Sequence, residues 1–274
     1  MIELRVNSGL CNRMRAIASA LALSKAAEQP LTVYWFHTSA LDCSFARLFE
    51  PLDGAEVVEV QTGRLLRLFS RGAWRLRTAG RRRPYDLFLS GDKLQEMREE
   101  GADLVSAVAK AKRCGIETYG RCYDALPSFE DFKPRPELVR EAERVFAGIG
   151  AGSGGRVVGV HIRRGDNEAS VQVSPLDLFL ARMRRETKEY PQVRFFLATD
   201  DPACEQAVMA EFPGRVTVRD KDLSRTRTRG VQDALVDLLV LSKCPLILGS
   251  YWSSFSQTAA ELGGGNLETV RTPK

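Results

Sequence analysis

The chain has 274 residues, of which 44% are hydrophobic and 27% charged, and its formal net charge is +5. This composition is ordinary for a globular protein and leaves room for one large or two small domains. No apolar run approaches the length that spans a bilayer, and two histidines nearly exclude a multi-histidine metal site. The start, MIELRVNSGL, lacks the regions of a signal peptide, so we expect a cytoplasmic protein whose six cysteines are reduced, with several of them buried.

The first half of the chain begins with a strand, loop, helix and strand. The pattern predicts a strand over 2–6, a turn at SGLCN, a helix over 13–28 and a strand over 31–35. Residues 36–135 are less regular and allow one helix from about 92 to 112. A helix over 136–147 then leads into the glycine-rich segment GIGAGSGG, 148–155. This segment predicts a domain boundary after residue 150, with an ordinary loop inside one sheet as the alternative.

The positive charge is concentrated in residues 64–83, RLLRLFSRGAWRLRTAGRRR, which include eight arginines and no acid. Such a run is most often a solvated basic face, but it also suits an anionic partner such as a phosphorylated acceptor, a membrane or a nucleic acid. Because leucine, phenylalanine and tryptophan alternate with the arginines, the segment could also form an interfacial helix at the inner membrane surface.

The second half of the chain alternates strands and helices regularly. Strands are predicted over 156–162, 193–199, 215–218 and 245–250. The helix that follows the first of these strands is predicted to have Ser174 as its N-cap and Pro175 as its first residue. Further helices are predicted over 202–212, 230–244 and 253–262. This alternation predicts a doubly wound, Rossmann-like sheet of four or five strands.

Polar residues follow three of these strands at their carboxyl ends. They are Arg163 to Asp166, Thr199 to Asp201, and Gly249, Ser250, Ser253 and Ser254. Ligands of open parallel sheets bind beyond the carboxyl ends of the strands, so we expect the three clusters to converge. Arginine suits phosphate, serines at a helix N-terminus suit an anion, and acids suit ribose hydroxyls or base N–H groups. The combination predicts a nucleoside diphosphate pocket.

Each cluster also has a purely structural alternative. Arg164 and Asp166 can form an ion pair, Asp200 and Asp201 can form a turn and a helix cap, and the serines can cap a helix. Strand alternation further places only one of the two adjacent arginines on a given face. The common placement of all three clusters favours the pocket. The chain has no P-loop motif and no GxGxxG motif, which disfavours P-loop NTPases and NAD enzymes.

The segment HIRRGD, 161–166, resembles the HxRRxD motif of the fucosyltransferase superfamily, which includes α1,2-, α1,6- and protein O-fucosyltransferases. The segment FFLATDDP, 195–202, is similar to the second motif of that group, and residues 229–260 are similar to the third. The segment NSGLCNRMRAIASALALSKAA, 7–27, resembles its first turn, which is usually glycine-rich. The middle of the chain is unmatched. Two departures are Cys11, where glycine is common, and Gly165, where the α1,6 enzymes have threonine.

The resemblance implies an α/β fold of GT-B type, with two Rossmann-like domains facing a central cleft. Residues 1–150 would form the acceptor-side domain and residues 151–274 the domain that binds GDP-fucose. By resemblance, Arg163 contacts the β-phosphate, and His161 and Asp166 contact guanine or ribose. The other donor-site residues implied are Arg164, Asp200, Asp201, Asp237, Ser250, Ser253, Ser254, Gly9, Leu10, Asn12 and Arg13.

The resemblance also implies an inverting transfer that needs no metal and no cofactor. Arg163 would stabilise the GDP leaving group as a divalent cation does in other transferases. A general base must take the proton of the acceptor hydroxyl. Glu168 is the candidate, and an acid of the N-terminal domain or His37 is the alternative.

Several alternatives remain open at this point. The donor could be another nucleotide sugar. The protein could instead bind nucleic acid through residues 64–83, or be a binding module that has lost turnover. We expect a nucleotide-sugar donor, a glycan or lipid-linked glycan acceptor, and no nucleic-acid partner.

Overall fold

The computed structural model describes residues 1–61, 85–123, 129–150, 155–165 and 168–272. Contacts divide the chain into two compact units. The first unit holds Met1–Arg135 and Ser224–Gln232, and the second holds Pro136–Leu223 and Asp233–Lys274. The arginine-rich segment 64–83, the site candidate Asp166 and residues 151–154 of the glycine-rich segment lie outside the described residues.

The first unit is built on a parallel sheet of five strands in the order β3-β2-β1-β5-β4. The strands are β1 (Ile2–Val6), β2 (Leu31–His37), β3 (Ala55–Gln61), β4 (Leu87–Ser90) and β5 (Cys114–Glu117). The helices are α1 (Leu10–Ala27), α2 (Gly91–Glu99) and α3 (Leu104–Lys110), and Phe45–Arg47 form a 3₁₀ turn. Every residue of β1 is buried, which fits a central parallel strand covered on both faces.

The irregular middle of the chain differs most from the sequence prediction. The prediction of a single helix over 92–112 is wrong, because this region contains two separate helices, α2 and α3. Gly101 between them adopts a left-handed φ of +66°, and the side chain of Asp103 caps the second helix by accepting from the Ser106 amide at 3.0 Å. Strands β3, β4 and β5 were not predicted. β3 and β4 form the two edges of the sheet, where half-buried residues weaken the hydrophobic signal.

The second unit contains a parallel sheet of five strands in the order β10-β9-β6-β7-β8. The strands are β6 (Val157–Ile162), β7 (Arg194–Thr199), β8 (Val216–Thr217), β9 (Leu246–Ser250) and β10 (Asn266–Val270). The helices are α4 (Pro136–Gly150), α5 (Glu168–Val173), α6 (Leu176–Glu189), α7 (Pro202–Glu211), α8 (Thr228–Ser242) and α9 (Ser254–Gly263). Only the part of α8 from Asp233 onwards belongs to the second unit. This strand order is that of a doubly wound sheet, and its direction of winding reverses between β6 and β9. The predicted α/β class with two parallel sheets is confirmed.

Ser174 has a different place from the one predicted. It is not the N-cap of α6, because Pro175 occupies that position. The Ser174 side chain is instead fully buried, and its hydroxyl donates to the Val270 carbonyl at 2.5 Å and accepts from the Tyr251 amide at 2.8 Å. Ser174 therefore connects the start of α6 to the ends of β9 and β10. The edge strand β10 is half-polar, and the sequence pattern did not predict it.

The division of the chain by contacts falls after Arg135, whereas the sequence predicted a boundary after residue 150. The two positions differ by helix α4, which packs on β7 and so groups with the second sheet. The assignment of an acceptor role to one domain and a donor role to the other stays a prediction.

All six cysteines are buried, and none of them forms a disulfide. Burial raises the pKa of Cys43 to about 11 and the pKa of both Cys114 and Cys244 to about 12. These thiols are packing residues, because only a thiolate is a strong nucleophile or metal ligand.

Candidate functional site

The three polar clusters predicted from the sequence converge at the carboxyl edge of the second sheet. The Arg163 amide donates to the Ser250 hydroxyl at 2.9 Å, which joins the ends of β6 and β9. The Arg164 amide donates to Asp200 Oδ1 at 2.8 Å, which joins the ends of β6 and β7. Since β6 and β9 flank the point where the winding reverses, the cluster lies where doubly wound sheets bind their ligands.

Asp200 uses both carboxylate oxygens on the segment that follows β6. Its Oδ1 accepts from the Arg164 amide, and its Oδ2 lies 2.7 Å from Nη1 of Arg163. The side chains of Arg163 and Asp200 are 22% and 24% exposed, so the ion pair borders solvent. Asp200 therefore fixes the direction of the Arg163 guanidinium while leaving it accessible to a ligand.

Gly165 lies close to the carboxylate of Asp200. A Cβ at position 165 would lie 2.6 Å from Asp200 Oδ2, closer than real Cβ atoms approach an oxygen. The absence of a side chain at Gly165 thus allows the carboxylate to contact both the backbone and the side chain of the arginine pair.

Arg164 has a different environment from Arg163. Its Nη1 donates to the Arg163 carbonyl at 3.1 Å, and its guanidinium lies beside the Cys204 thiol on α7. This difference agrees with the expectation that strand alternation separates the two arginines. Of the two side chains, Arg163 is the one that is paired with Asp200 at the edge of the sheet.

His161 is a buried, neutral imidazole beneath the cluster. Its ring is 6% exposed and stacks on Phe255 with a centroid distance of 4.8 Å. Burial, together with the positive charges of Arg163 and Lys221, lowers the pKa of His161 to about 3. Its Nδ1 lies 3.4 Å from the Ser253 hydroxyl. His161 therefore supports the start of α9 from below without adding a charge.

The serines of the third cluster surround the N-terminus of α9. Ser250 is buried, and Ser253 is the N-cap residue of α9, with Ser254 as its first helical residue. The first amides of a helix have no intrahelical acceptor and favour an anion. Together with the Arg163 guanidinium, they give this edge of the sheet the donors and the charge that a phosphate requires.

Asp237 belongs to a second, buried charge cluster. Its Oδ1 lies 2.9 Å from Nη1 of Arg219, and its Oδ2 lies 2.7 Å from the Lys221 ammonium. Arg219 also pairs with Asp233 at 3.0 Å. The sequence analysis missed Arg219, Lys221 and Asp233. Two signals were present: charged residues directly follow the strand around Val216, and Asp233 and Asp237 are four residues apart on one helix face.

Two further candidates have ordinary structural positions. Asp201 is the N-cap of α7, and its carboxylate accepts from the Ala203 amide at 2.8 Å. This is the capping role that the sequence analysis gave as an alternative. Glu168, the candidate base, is exposed at the start of α5. The roles of both residues towards a ligand stay predictions.

The candidates from the first unit lie around the start of α1. Gly9 is the N-cap of this helix, and Asn12 is half-buried in its first turn. Arg13 is completely buried, with its guanidinium 4.5 Å from the centre of the Trp35 ring and its Nε donating to the Ser8 carbonyl. Burial lowers the pKa of Arg13 to about 9. Arg13 supports the loop from inside the core, and its donor-binding role stays a prediction.

His37, the alternative base, is held between two carboxylates. Its Nδ1 lies 2.9 Å from Asp42, and its Nε2 lies 2.6 Å from Glu59. Glu59 also accepts from the Ser44 hydroxyl and the Phe45 amide, both at 2.7 Å. Both ring nitrogens are therefore engaged, which leaves His37 poorly placed to accept a proton from a substrate.

Among the described residues, no group of three or more histidine, cysteine, aspartate or glutamate side chains is arranged to hold a metal ion. The prediction that the reaction needs no metal remains untested by this arrangement.

Comparison with known proteins places the chain among structures with the same fold. No protein-family model matches the chain, and neither does any curated protein.

The NodZ α-1,6-fucosyltransferase soaked with GDP-fucose is 21% identical, with a TM-score of 0.62 over 95% of this chain and 92% of that one. A mutant of Arabidopsis thaliana FUT1 in complex with GDP is 14% identical, with a TM-score of 0.64 over 100% of this chain and 71% of that one. POFUT1 in complex with GDP is 9% identical, with a TM-score of 0.55 over 98% of both chains. The chain thus has the α/β fold with two parallel sheets that these GT-B fucosyltransferases share.

Proposed function

We propose that this protein is an inverting, metal-independent glycosyltransferase that moves L-fucose from GDP-fucose to a hydroxyl of a glycan or glycoconjugate. The observation that carries the proposal is the junction of Arg163, Asp200 and Ser250 at the switch point of the second sheet. A partly exposed arginine beside a serine-rich helix start is a site for a diphosphate. The likeness to structures that contain GDP or GDP-fucose supports the choice of nucleotide.

In the proposed complex, Arg163 binds the β-phosphate of GDP-fucose. Asp200 orients the guanidinium through its 2.7 Å contact, so the arginine loses little freedom when the ligand binds. Ser253, Ser254 and the first amides of α9 bind the same diphosphate from the side of β9. The neutral His161 and the candidates Asp166 and Asp237 are assigned to the nucleoside by the motif resemblance.

The transfer breaks the bond between C1 of fucose and the phosphate oxygen, and that electron pair leaves with GDP. The acceptor oxygen forms the new bond to C1 from the opposite face, and its proton passes to a general base. Arg163 stabilises the charge that develops on GDP, the function that a divalent cation serves in other transferases. Glu168 remains the candidate base, with an acid of the first unit as the alternative.

The identity of the acceptor and a membrane contact are further parts of the proposal. The basic segment 64–83 suits an anionic or lipid-linked glycan on the cytoplasmic side of a membrane. Within the described ranges, no helix has the length and hydrophobicity needed to cross a bilayer. Co-sedimentation with vesicles that contain anionic lipid tests the membrane contact. If such vesicles leave the activity unchanged at both low and high salt, the proposed membrane contact is wrong.

The decisive test is isothermal titration with GDP, in the presence of EDTA, compared with ADP and UDP. We expect micromolar GDP binding, weaker binding of the other two nucleotides, and GDP binding about a hundredfold weaker in Arg163→Ala. Arg184→Ala is the matched control, because Arg184 is an exposed arginine of the same unit that pairs with Glu211 on the surface. Release of GDP from GDP-fucose in the presence of glycan acceptors then tests turnover.

Three outcomes would contradict the proposal in different ways. Equal affinity for all three nucleotides would point to another nucleotide-sugar donor. Nucleic-acid binding that falls steeply with salt and is unchanged in Arg163→Ala would favour the nucleic-acid alternative. GDP binding without any turnover would identify a binding module.

A further inference from the structure

Trp252 has an unusual position beside the candidate site. It lies in the turn between β9 and α9, two residues after Ser250 and directly before Ser253. The side chain is 77% exposed, the largest exposure of any large hydrophobic residue in the described part of the chain. Single exposed apolar side chains are common, so exposure alone gives no function. Trp252 also has an unusual backbone conformation, and the turn that carries it is held by hydrogen bonds on both sides.

The backbone of Trp252 has a left-handed conformation, with φ of +52°. Within the described residues, only one other non-glycine residue, Glu28, has a positive φ. Glu28 ends helix α1, where a left-handed residue is the usual C-cap, and its amide bonds to the last carbonyls of the helix. Trp252 follows a strand and precedes a helix, so this explanation does not apply. Glycine or asparagine would adopt this conformation with less strain, and strain of this kind is often associated with functional sites.

The turn that presents Trp252 is held on both sides. On one side, the Tyr251 amide donates to the buried Ser174 hydroxyl, which itself donates to Val270. On the other side, the Ser253 hydroxyl contacts His161. The rings of Tyr251 and Trp252 also form a T-shaped pair, with their centroids 6.3 Å apart. The indole is therefore presented to solvent by a turn with little freedom to rearrange.

We propose that the exposed indole of Trp252 is a stacking platform for the apolar face of a pyranose ring. This inference rests on the proposed function, because the phosphate assigned to Ser253 and Arg163 places a sugar close to this turn. The C–H face of a pyranose packs on an aromatic ring while the hydroxyls at its rim keep their water or protein partners. Tryptophan offers a large, rigid surface for such contact at low conformational cost. The ring could belong to the donor or to the acceptor, and the experiment separates these two sources.

The test compares two substitutions of Trp252. Trp252→Phe keeps an aromatic face, whereas Trp252→Gly removes the face and relieves the left-handed strain. We expect the melting temperature of Trp252→Gly to equal or exceed that of the wild type. We expect its affinity for the sugar-containing ligand to fall about tenfold, whereas the affinity of Trp252→Phe stays within about threefold of the wild-type value. Met209→Ala is the control, because it removes another exposed large apolar side chain near the C-terminal end of α7.

Binding and kinetics identify which sugar contacts the indole. If it is the donor sugar, Trp252→Gly weakens GDP-fucose about tenfold and leaves GDP unchanged in isothermal titration. If it is the acceptor sugar, the affinities for GDP and GDP-fucose both stay constant, and KM for the glycan acceptor rises while kcat changes little. An unchanged affinity for GDP-fucose together with an unchanged KM for acceptor would overturn the proposal.

Intrinsic fluorescence gives a readout that does not depend on turnover. The chain has three tryptophans. Trp35 is completely buried, and Trp74, outside the described residues, is removed in a Trp74→Phe background. Titration with GDP-fucose, GDP and methyl glycosides of galactose, glucose and N-acetylglucosamine should change the emission only for ligands that carry a pyranose. The same titration of Trp252→Phe should show no such change.

Failure of this inference can be distinguished from failure of the proposed function. If the wild type binds GDP through Arg163 and no pyranose changes the Trp252 emission, only the stacking platform is wrong. If Trp252→Gly weakens GDP itself as strongly as Arg163→Ala, the indole supports the nucleotide and the inference is overturned. If the wild type does not bind GDP but methyl glycosides change the emission, the platform stands and the donor assignment fails.

Discussion

The central strands of the two sheets, β1 and β6, are each followed by an arginine, and the surroundings of the two arginines are opposite. Arg13 is 0% exposed, covers the Trp35 ring and donates to the loop carbonyl of Ser8. Arg163 has a partly exposed side chain that is oriented by a carboxylate of the neighbouring strand. A cation beyond a central strand is therefore not sufficient for an anion site. Its partners decide whether the charge is used inside the protein or offered to a ligand.

The titratable groups beyond the neighbouring strands show the same contrast. In the first unit, the ring of His37 contacts a carboxylate at each nitrogen, and Glu59 has accepted two further hydrogen bonds. In the second unit, Asp200 and Ser250 bond mainly to the segment that carries Arg163. In the first unit these groups bond to one another and to their own loop, whereas in the second unit they hold the segment that carries the partly exposed Arg163 side chain.

The largest effect is expected from the buried charges of the second unit. Asp237→Ala leaves Lys221 without its carboxylate in a position where the ammonium side chain is only 7% exposed. Removing one partner of a buried ion pair destabilises a protein by about 3 kcal/mol or more. Denaturant unfolding followed by circular dichroism measures this loss. Glu96→Ala is the control, because the exposed Lys93–Glu96 pair should contribute less than about 1 kcal/mol. Equal effects would show that the cluster around Asp237 is solvated.

The next effect distinguishes the two arginines directly. Arg163→Ala should weaken GDP binding about a hundredfold, because a charge-assisted contact with phosphate is lost. Arg13→Met should weaken GDP binding far less, because the Arg13 guanidinium is covered by the core of the first unit and can act only through the loop that it supports. Isothermal titration of both variants measures the difference. A similar loss of affinity in Arg13→Met would mean that the first unit also contributes a cation to the ligand.

The pH dependence of folding reports on His161. The unfolded imidazole binds a proton below about pH 6.5, whereas burial lowers the folded pKa to about 3. The unfolded state therefore gains protons first as the pH falls, and the free energy of unfolding decreases from about pH 6.5 towards pH 3. The contribution of this group is a loss of about 2 kcal/mol by pH 5. Chemical unfolding at pH 8 and pH 5 measures it.

His161→Gln is the control for this dependence, since it removes the imidazole and should flatten the decrease between these two pH values. A slope that is unchanged in His161→Gln would show that other groups cause the decrease.

The smallest effect concerns Gly165. In Gly165→Ala, the added Cβ must displace the Asp200 carboxylate from its position 2.6 Å away. We expect about a tenfold loss of GDP affinity, because the Arg163 guanidinium loses its orienting partner, with little change in stability. Gly148→Ala is the control for Gly165→Ala, because a Cβ added at position 148 meets no atom within 4 Å. If Gly165→Ala binds GDP normally, the orientation of Arg163 does not depend on Asp200.

The sequence predicted the second unit well because its strands are buried runs separated by clear helix signals. The convergence of Arg163, Asp200 and Ser250 followed from one rule about parallel sheets, since residues at neighbouring carboxyl ends must be close. Alternation along a strand predicted that the two adjacent arginines would have different surroundings, and the choice of Arg163 came from the motif resemblance.

The remaining features depend on tertiary contacts that a local pattern does not contain. Edge strands such as β3, β4 and β10 have half-exposed residues, so their hydrophobic alternation is weak. The burial of Arg13 against Trp35 and the bonding of Ser174 to Tyr251 join residues far apart in the chain. The cluster of Arg219 and Lys221 forms because the loop after β8 lies against α8, a pairing that the two local signals do not specify.

The burial of all six cysteines has a practical consequence for spectroscopy. Because burial raises the pKa of several of these thiols, maleimide and disulfide reagents should modify them slowly in the folded protein. A thiol introduced by Trp252→Cys would then be the most reactive one in the chain. A fluorophore or spin label could therefore be attached beside the candidate site without first removing the native cysteines, and its signal would report the arrival of ligand at the end of β9.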